Sequence, residues 1–376
     1  MDWSLTVGSV RGINIRVHVT FLLIIAWAAY NWGIVLRGGW SGAVYGVVFT
    51  LLVFFCVVLH ELAHSLVATH HGVHVLEIEL SPIGGLAKMD SVPEAPSQEL
   101  TMALAGPLAN LLLAMPLGIL IAVLIGSHSI KSLGHLLYLM RSPSLQGFVL
   151  NLFATNVFLA LFNLLPAFPM DGGRALRSVL TWVLGRSSAT NWAASIGQWL
   201  AAIMGFVGLL VGNLVMALIA AFVFVSARQE QQMSNLQATL GDVPVSEALN
   251  TSFPTLSPQD TLDTVLERTK RGQTAPFAVL DGPRFLGLLT TTDITAALET
   301  YGGSALTGDI MRQGVATVSP SDTLAHARQL MARSGLSGLP VVQDGQLLGL
   351  VTAHQIQQIY GFLAAQQRRQ NHGRRQ

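Results

Sequence analysis

Five long stretches of the chain contain no charged residue and are rich in apolar residues. They lie between Arg16 and Arg37, Arg37 and Glu61, Glu99 and Lys131, Arg141 and Asp171, and Arg186 and Arg228. A helix needs about 20 apolar residues to cross a bilayer, so the first four stretches fit one span each. The last stretch is too long for one span and predicts two helices hinged near Gly212 and Asn213. The pattern therefore predicts six spans, over residues 18–36, 42–70, 101–125, 147–166, 190–210 and 213–228.

From about residue 242 the pattern changes to that of a soluble α/β protein with an internal repeat. Residues 257–262 (SPQDTL) recur as 319–324 (SPSDTL), and 287–290 (GLLT) recur as 349–352 (GLVT). Each repeat predicts a helix, two short strands joined by an Asp-Gly turn, and a second helix. The predicted fold is thus a polytopic α-helical membrane domain followed by a tandem α/β module. The predicted boundaries are 1–230 for the membrane domain, 231–241 for a linker, 242–303 and 304–365 for the repeats, and 366–376 for a basic tail.

The composition agrees with a membrane protein. Hydrophobic residues make up 51% of the chain and charged residues only 11%, against about 25% in soluble domains, which also excludes a disordered chain. A net charge of +1 offers no basic surface for nucleic acid, and the single cysteine excludes a disulfide framework. Lys and Arg are more frequent on one side of the predicted spans. This bias predicts a cell-membrane protein with both termini in the cytoplasm.

The second predicted span contains the sequence His60-Glu61-Leu62-Ala63-His64. Residues i and i+4 share one face of a helix, so both imidazoles can bind one metal ion, and Glu61 beside them can activate a bound water. An ionisable residue in an apolar span costs about 2.5–3.5 kcal/mol on insertion scales. That cost favours a functional site over a polar cluster that only joins helices.

Asp171 is the candidate third ligand. It follows Pro166 and Pro169, which end the fourth span, and it precedes Gly172 and Gly173, which allow the chain to turn closely past a site. Two histidines and one carboxylate leave the fourth position of a tetrahedral zinc ion open to water, which is the pattern of catalytic zinc. The alternative is that Asp171 serves as the N-cap of the following helix.

Over roughly residues 8–230 the chain resembles the site-2 protease family of intramembrane zinc metalloproteases. Beyond the His-Glu-x-x-His sequence, the resemblance rests on residues 12–18 (GINIRVH), 81–86 (SPIGGL), 99–110 (ELTMALAGPLAN) and 163–173 (NLLPAFPMDGG). It implies cleavage of transmembrane segments of single-span membrane proteins, as in regulated intramembrane proteolysis.

The resemblance also implies roles for individual residues. The implied zinc ligands are His60, His64 and Asp171. Glu61 is implied as the general base, and Asn163 as a residue that positions the substrate or donates to a developing oxyanion. Asn110 is a weaker candidate for similar work. For either asparagine, the alternative is a hydrogen bond between helices.

Over residues 242–362 the repeat resembles a tandem pair of CBS domains, which often bind adenine nucleotides and stack head to head. The family's Gly-x-x-Thr-x-x-Asp signature is kept in the first repeat, where Thr290 would contact phosphate and Asp293 ribose. The second repeat keeps Thr352 but has Gln355 in place of the Asp. The resemblance implies a homodimer and ATP, ADP or AMP as ligands. Because Gln355 cannot accept ribose hydroxyls as a carboxylate does, we expect one nucleotide per pair, bound mainly at the first repeat through Asp293. The alternative is a pair that serves only in dimerisation.

Three other functions are weaker. A transporter or channel with a regulatory CBS pair would have polar residues spread over several spans, whereas here they cluster at 60–64 and 163–171. A non-catalytic scaffold member of the family would have lost a ligand or the base, and neither is missing. An enzyme of the prenyl-protein processing type would also have His-Glu-x-x-His in membrane helices, but it would lack the 163–173 pattern.

Overall fold

The computed structural model describes residues 3–82, 84–90, 93, 95–127, 130, 132–273 and 275–373. The chain forms two compact units, Met1–Gln232 and Met233–Gln376. The first unit contains the predicted spans, and the second contains the internal repeat.

Eight helices occur among the described residues up to the end of the last apolar stretch. They are α1 Phe21–Tyr30, α2 Gly39–His70, α3 Pro96–Gly126, α4 Leu133–Arg141, α5 Leu145–Asn163, α6 Asp171–Leu184, α7 Arg186–Leu210 and α8 Leu214–Leu240. Among the described residues, five (α2, α3, α5, α7 and α8) are long and apolar enough to cross a membrane. The first predicted span is a shorter apolar helix, because α1 and its π-helical extension end at Val35. The count of six spans therefore stays a prediction.

The longest apolar stretch is interrupted where the sequence predicts a hinge. Helix α7 ends at Leu210, α8 begins at Leu214, and Gly212 between them has a φ of +68°, which glycine adopts without strain. The residues predicted as a linker continue α8 as far as Leu240. Leu236 and Leu240 pack into the core of the second unit.

The long helices bury small and polar side chains and expose large apolar ones. Helix α2 buries Gly46, His60 and Ser65, whereas Leu51 and Phe55 are exposed. This arrangement is the reverse of that in a soluble protein. It is typical of helices that contact one another through small residues and face lipid with large ones.

The first unit also contains a four-stranded sheet. Its strands are β1 Ser4–Val10, β2 Ile13–His18, β3 Val75–Ser81 and β4 Gly84–Met89, in the order β1-β2-β3-β4. Only β2 and β3 are parallel. Lys88 bonds to both Glu77 and Glu79, at 2.7 and 2.9 Å, and the hydrogen bond from Lys88 lowers the pKa of Glu77. Buried Ile78 packs against α2 and α3, which holds the sheet beside both helices.

The second unit contains the repeated elements. They are β5 Thr255–Leu256, α9 Leu262–Lys270, β6 Phe277–Asp281, β7 Arg284–Leu289, α10 Thr291–Tyr301, α11 Thr307–Ile310, β8 Arg312–Gln313, α12 Leu324–Ser334, β9 Gly338–Gln343, β10 Gln346–Thr352 and α13 Ala353–Gly373. The predicted helix after each Ser-Pro-x-Asp-Thr sequence is present, capped by Thr261 or Thr323, and both Asp-Gly turns join antiparallel strands. Helix α13 continues into the predicted tail.

Candidate metal centre

Three side chains converge in the interior of the first unit. The Nε2 atoms of His60 and His64 lie 3.2 Å apart, and Asp171 Oδ2 lies 3.2 Å from the first and 3.1 Å from the second. Zinc with bonds of about 2.0–2.1 Å holds tetrahedral ligand atoms roughly 3.3 Å apart. The three atoms therefore form one face of a tetrahedron of the size that zinc requires, and their chemistry is that of a catalytic zinc site.

Local structure explains how these ligands reach one point. His60 and His64 are one turn apart on α2, and Asp171 is the first residue of α6. The side-chain hydrogen bonds of Asp171 go to the two histidines, not to the helix end that the capping alternative requires. At Gly172 a Cβ atom would collide with the carbonyl oxygens of Leu164 and Leu165, so glycine is needed where α6 starts against the end of α5.

A backbone carbonyl orients one of the histidines. His64 Nδ1 lies 2.6 Å from the carbonyl oxygen of Met102 on α3. A carbonyl only accepts, so Nδ1 donates this hydrogen bond and Nε2 presents its lone pair to the site. His60 Nδ1 is buried and has no hydrogen-bond partner among the described residues.

Gly106 of α3 provides the room for an ion. A Cβ atom at this position would collide with His64 Nε2 and lie 2.6 Å from His60 Nε2. Any larger residue would therefore occupy the space in front of both nitrogens. This role was not predicted from the sequence, where its signal is the Gly-Pro pair at 106–107 within an apolar span.

We expect Gly106→Ala to weaken zinc binding about 10–100-fold, the range for changes directly around ligands, because its methyl group competes with the ion for space. Equilibrium competition with a chelator on the purified chain measures this affinity. Gly126→Ala is the matched control, because Gly126 ends the same helix and a Cβ there meets no atom within 4 Å. Equal affinities for the two variants would contradict this role for Gly106.

Glu61 and the two candidate asparagines lie on the same group of helices. The backbone of β4 lies against Glu61, since a Cβ at Gly85 would be 2.7 Å from Glu61 Cγ. Asn163 is the last residue of α5 and is half-buried. Asn110 of α3 is buried, and neither of its amide atoms has a hydrogen-bond partner in the described part of the chain. No described hydrogen bond joins either asparagine to the three ligand residues.

The candidate nucleotide residues lie in the second unit. In the first repeat, Thr290 Oγ1 donates to Asp293 Oδ2 at 2.6 Å, and Arg312 Nε donates to both oxygens of the same carboxylate at 2.9 and 3.0 Å. In the second repeat, Thr352 Oγ1 donates to Gln355 Oε1 at 2.8 Å. The carboxylate expected to bind ribose is thus held in an ion pair.

A cavity of about 550 Å³ lies beside the second repeat's signature. Among its lining residues are Asn250, Phe253, Pro276, Thr352, His354 and Gln355. Asn250 of the first repeat and Arg312 of the second repeat occupy equivalent positions in the sequence. The neutral, shorter Asn250 leaves the space beside Gln355 open, whereas Arg312 bonds to Asp293.

Comparison with known proteins identifies both units. The profile of peptidase family M50 matches residues 48–205, and the CBS-domain profile matches residues 245–300 and 308–360. The chain belongs to peptidase family M50. It is a site-2 protease family member with a tandem CBS pair, and so a multi-pass membrane protein of a family of zinc metalloproteases.

Individual M50 and CBS proteins are similar to this chain along most of their length. Zinc metalloprotease MJ0392 of Methanocaldococcus jannaschii is 28% identical over 353 residues, which are 94% of either chain. The solved site-2 protease from the same organism is 36% identical, with a TM-score of 0.43, and the match covers 61% of this chain and 95% of that one. CBS domain-containing protein YhcV of Bacillus subtilis is 27% identical over 109 residues, which are 28% of this chain and 78% of that protein.

Proposed function

We propose that the chain is an intramembrane zinc endopeptidase that cleaves transmembrane segments of single-span membrane proteins. The main observation is that ligand atoms of His60, His64 and Asp171 form a triangle, and that both histidines and Glu61 lie on α2, which is long and apolar enough to cross a membrane. In this proposal the three residues hold the zinc ion. Bound zinc supplies a Lewis acid that lowers the pKa of water to about 7 and polarises a carbonyl.

The remaining chemistry belongs to side chains of this chain. The Glu61 carboxylate accepts a proton from the attacking water and delivers it to the amide nitrogen as the carbon–nitrogen bond breaks. An amide N–H of Asn163 donates to the oxygen of the scissile carbonyl as negative charge develops there. Asn110, buried with a free amide, is a second candidate donor. Burial of the histidines strengthens these electrostatic interactions by excluding bulk water.

The sheet supports a substrate in extended conformation. Strand β4 pairs with β3 on one side, and no other described strand pairs with its second edge. Glu61 lies against one face of this edge strand at Gly85. An unwound segment that added to the edge as a further strand would present its peptide bonds to Glu61. A helical segment could not do so, because its backbone groups are already bonded.

Reconstitution tests the substrate class. The purified chain in liposomes, mixed with single-span candidate proteins, should cut within the span, and mass spectrometry of the products locates the cut. Removing the metal with a chelator should stop cleavage and added zinc should restore it. Cuts confined to segments outside the span, or cleavage that persists without metal, would contradict the proposal.

The charge bias of the segments that flank the spans supports a cytoplasmic location for both termini.

We further propose that one adenine nucleotide binds each CBS pair and regulates cleavage, in the cavity beside Thr352 and Gln355. The cavity volume lies within the 300–1,000 Å³ typical of ligand sites. The equivalent position beside Asp293 in the first repeat is less suited to bind ribose, because the Asp293 carboxylate is already paired with Arg312. Binding can regulate cleavage only if nucleotide has different affinities for two states of the chain. A homodimer formed through the CBS pair is part of the same proposal.

Calorimetry on the full chain with ATP, ADP and AMP should give one site, and Thr352→Val should weaken binding at least about tenfold by removing a hydroxyl donor. Thr290→Val is the matched control, since it removes the equivalent helix-capping hydroxyl in the first repeat. If only Thr290→Val or Asp293→Ala lost binding, the nucleotide site would lie in the first repeat and this part of the proposal would be wrong. No heat with any of the three nucleotides would leave the pair as a dimerisation module.

A further inference from the structure

A buried ion-pair network lies close to the metal centre and involves none of its ligands. Arg177 is 6% exposed and Glu99 is 1% exposed. Arg177 Nε donates to Glu99 Oε1 at 2.9 Å, and its two terminal nitrogens donate to Glu99 and Glu230. Its guanidinium carbon also lies 5.2 Å from the centre of the Phe168 ring. Burying such charges costs several kcal/mol per ion before they interact. Apolar side chains of similar size would fill the same space without that cost, so packing alone does not explain the network.

The network joins the two helices that support the metal ligands. Arg177 lies on α6, about 9 Å along the helix from Asp171 at its first residue. Glu99 lies on α3, one turn before Met102, whose carbonyl orients His64. The Glu99–Arg177 pair therefore connects the helix that orients one ligand with the helix that carries another.

The close approach of Gly172 to Leu164 and Leu165 fixes where α6 begins, and the direction of α6 then decides where the Asp171 carboxylate lies. Asp171 follows an irregular segment, 164–170, in which Pro166 and Pro169 prevent a regular helix. Its described side-chain hydrogen bonds go only to His60 and His64, which are the other candidate ligands. The position of the carboxylate thus depends on the position of α6, and α6 is anchored to its neighbours by Arg177.

We propose that Arg177 is a positioning residue that places the Asp171 carboxylate at the zinc site, through Glu99 on one side and Glu230 on the other. Glu230, on α8, is the outer support, and its side chain is partly exposed. The proposal rests on the assignment of Asp171 as a zinc ligand. Changes in residues that orient metal ligands typically cost 10–100-fold in metal affinity.

Zinc affinity of the purified full chain, measured by chelator competition, tests this role without relying on activity. Arg177→Lys keeps the charge but loses the forked geometry that bonds Glu99 and Glu230 together. We expect it to bind zinc about 10–100-fold more weakly. Glu230→Gln, which removes only the outer charge, should produce a smaller loss in the same direction.

Leu150→Ala is the control for stability, since Leu150 packs with Ile121 and Leu139 in a cluster that contains none of these residues. It should lower the melting temperature and leave zinc affinity unchanged. Wild-type affinity in Arg177→Lys, or an equal loss in Leu150→Ala, would overturn the proposal. If Arg177→Lys does not fold, unchanged affinity in Glu230→Gln overturns it. Asp171→Asn in the same assay separates the two ideas, because wild-type affinity there refutes the ligand assignment itself.

Discussion

Glu61→Gln is expected to abolish cleavage while zinc stays bound. The substitution preserves the shape of a side chain that lies against the β4 backbone at Gly85, so the surrounding packing is retained. It removes the proton acceptor and leaves His60, His64 and Asp171 intact. General acid–base catalysis contributes about 10²–10⁴-fold, so activity should fall by at least about 10²-fold.

Two measurements on the same preparation check this expectation. Metal analysis should give wild-type zinc content, and co-expression with candidate single-span proteins should show that substrates accumulate uncut. Glu267→Gln on α9, where the side chain is exposed in the second unit, is the control for loss of one negative charge. Full activity of Glu61→Gln would eliminate Glu61 as the base. Loss of zinc together with activity would instead indicate that Glu61 helps to hold the ion.

Asp171→Asn is expected to lower zinc affinity and activity together. A neutral amide is a poorer zinc ligand than a carboxylate, and two imidazoles alone leave the ion under-coordinated. The loss should exceed the roughly 100-fold upper range for residues that only orient ligands. Chelator competition and peptide cleavage, measured in parallel, give the two quantities.

The same variant distinguishes a ligand from a helix cap. Asparagine is as good an N-cap as aspartate, so a capping Asp171 would tolerate the change without loss of stability, zinc or activity. A variant with wild-type zinc affinity would therefore return Asp171 to the capping interpretation and require another carboxylate at the site. Unchanged thermal stability together with lost zinc would support the ligand assignment.

Local periodicity explains which parts of the fold could be predicted. Long uncharged stretches predict spans because a bilayer imposes one length, and the repeat predicts two similar α/β units because each repeats its own capping and turn residues. The four-stranded sheet was not predicted, since it pairs β2 with β3, which are separated in sequence by α1 and α2, and no local pattern specifies that pairing. The first span is shorter than its uncharged stretch, because charge alone does not determine where a helix ends.

The sequence by itself determined the five long apolar helices, the repeat and the pairing of His60 with His64. The two histidines pair because one helical turn places them on one face whatever the surroundings. Only the tertiary structure decided that Asp171 meets them, that Gly106 leaves room for an ion, and that Arg312 bonds to Asp293. Each of these contacts joins different elements. No local pattern specifies such contacts, since they depend on how whole helices and strands pack.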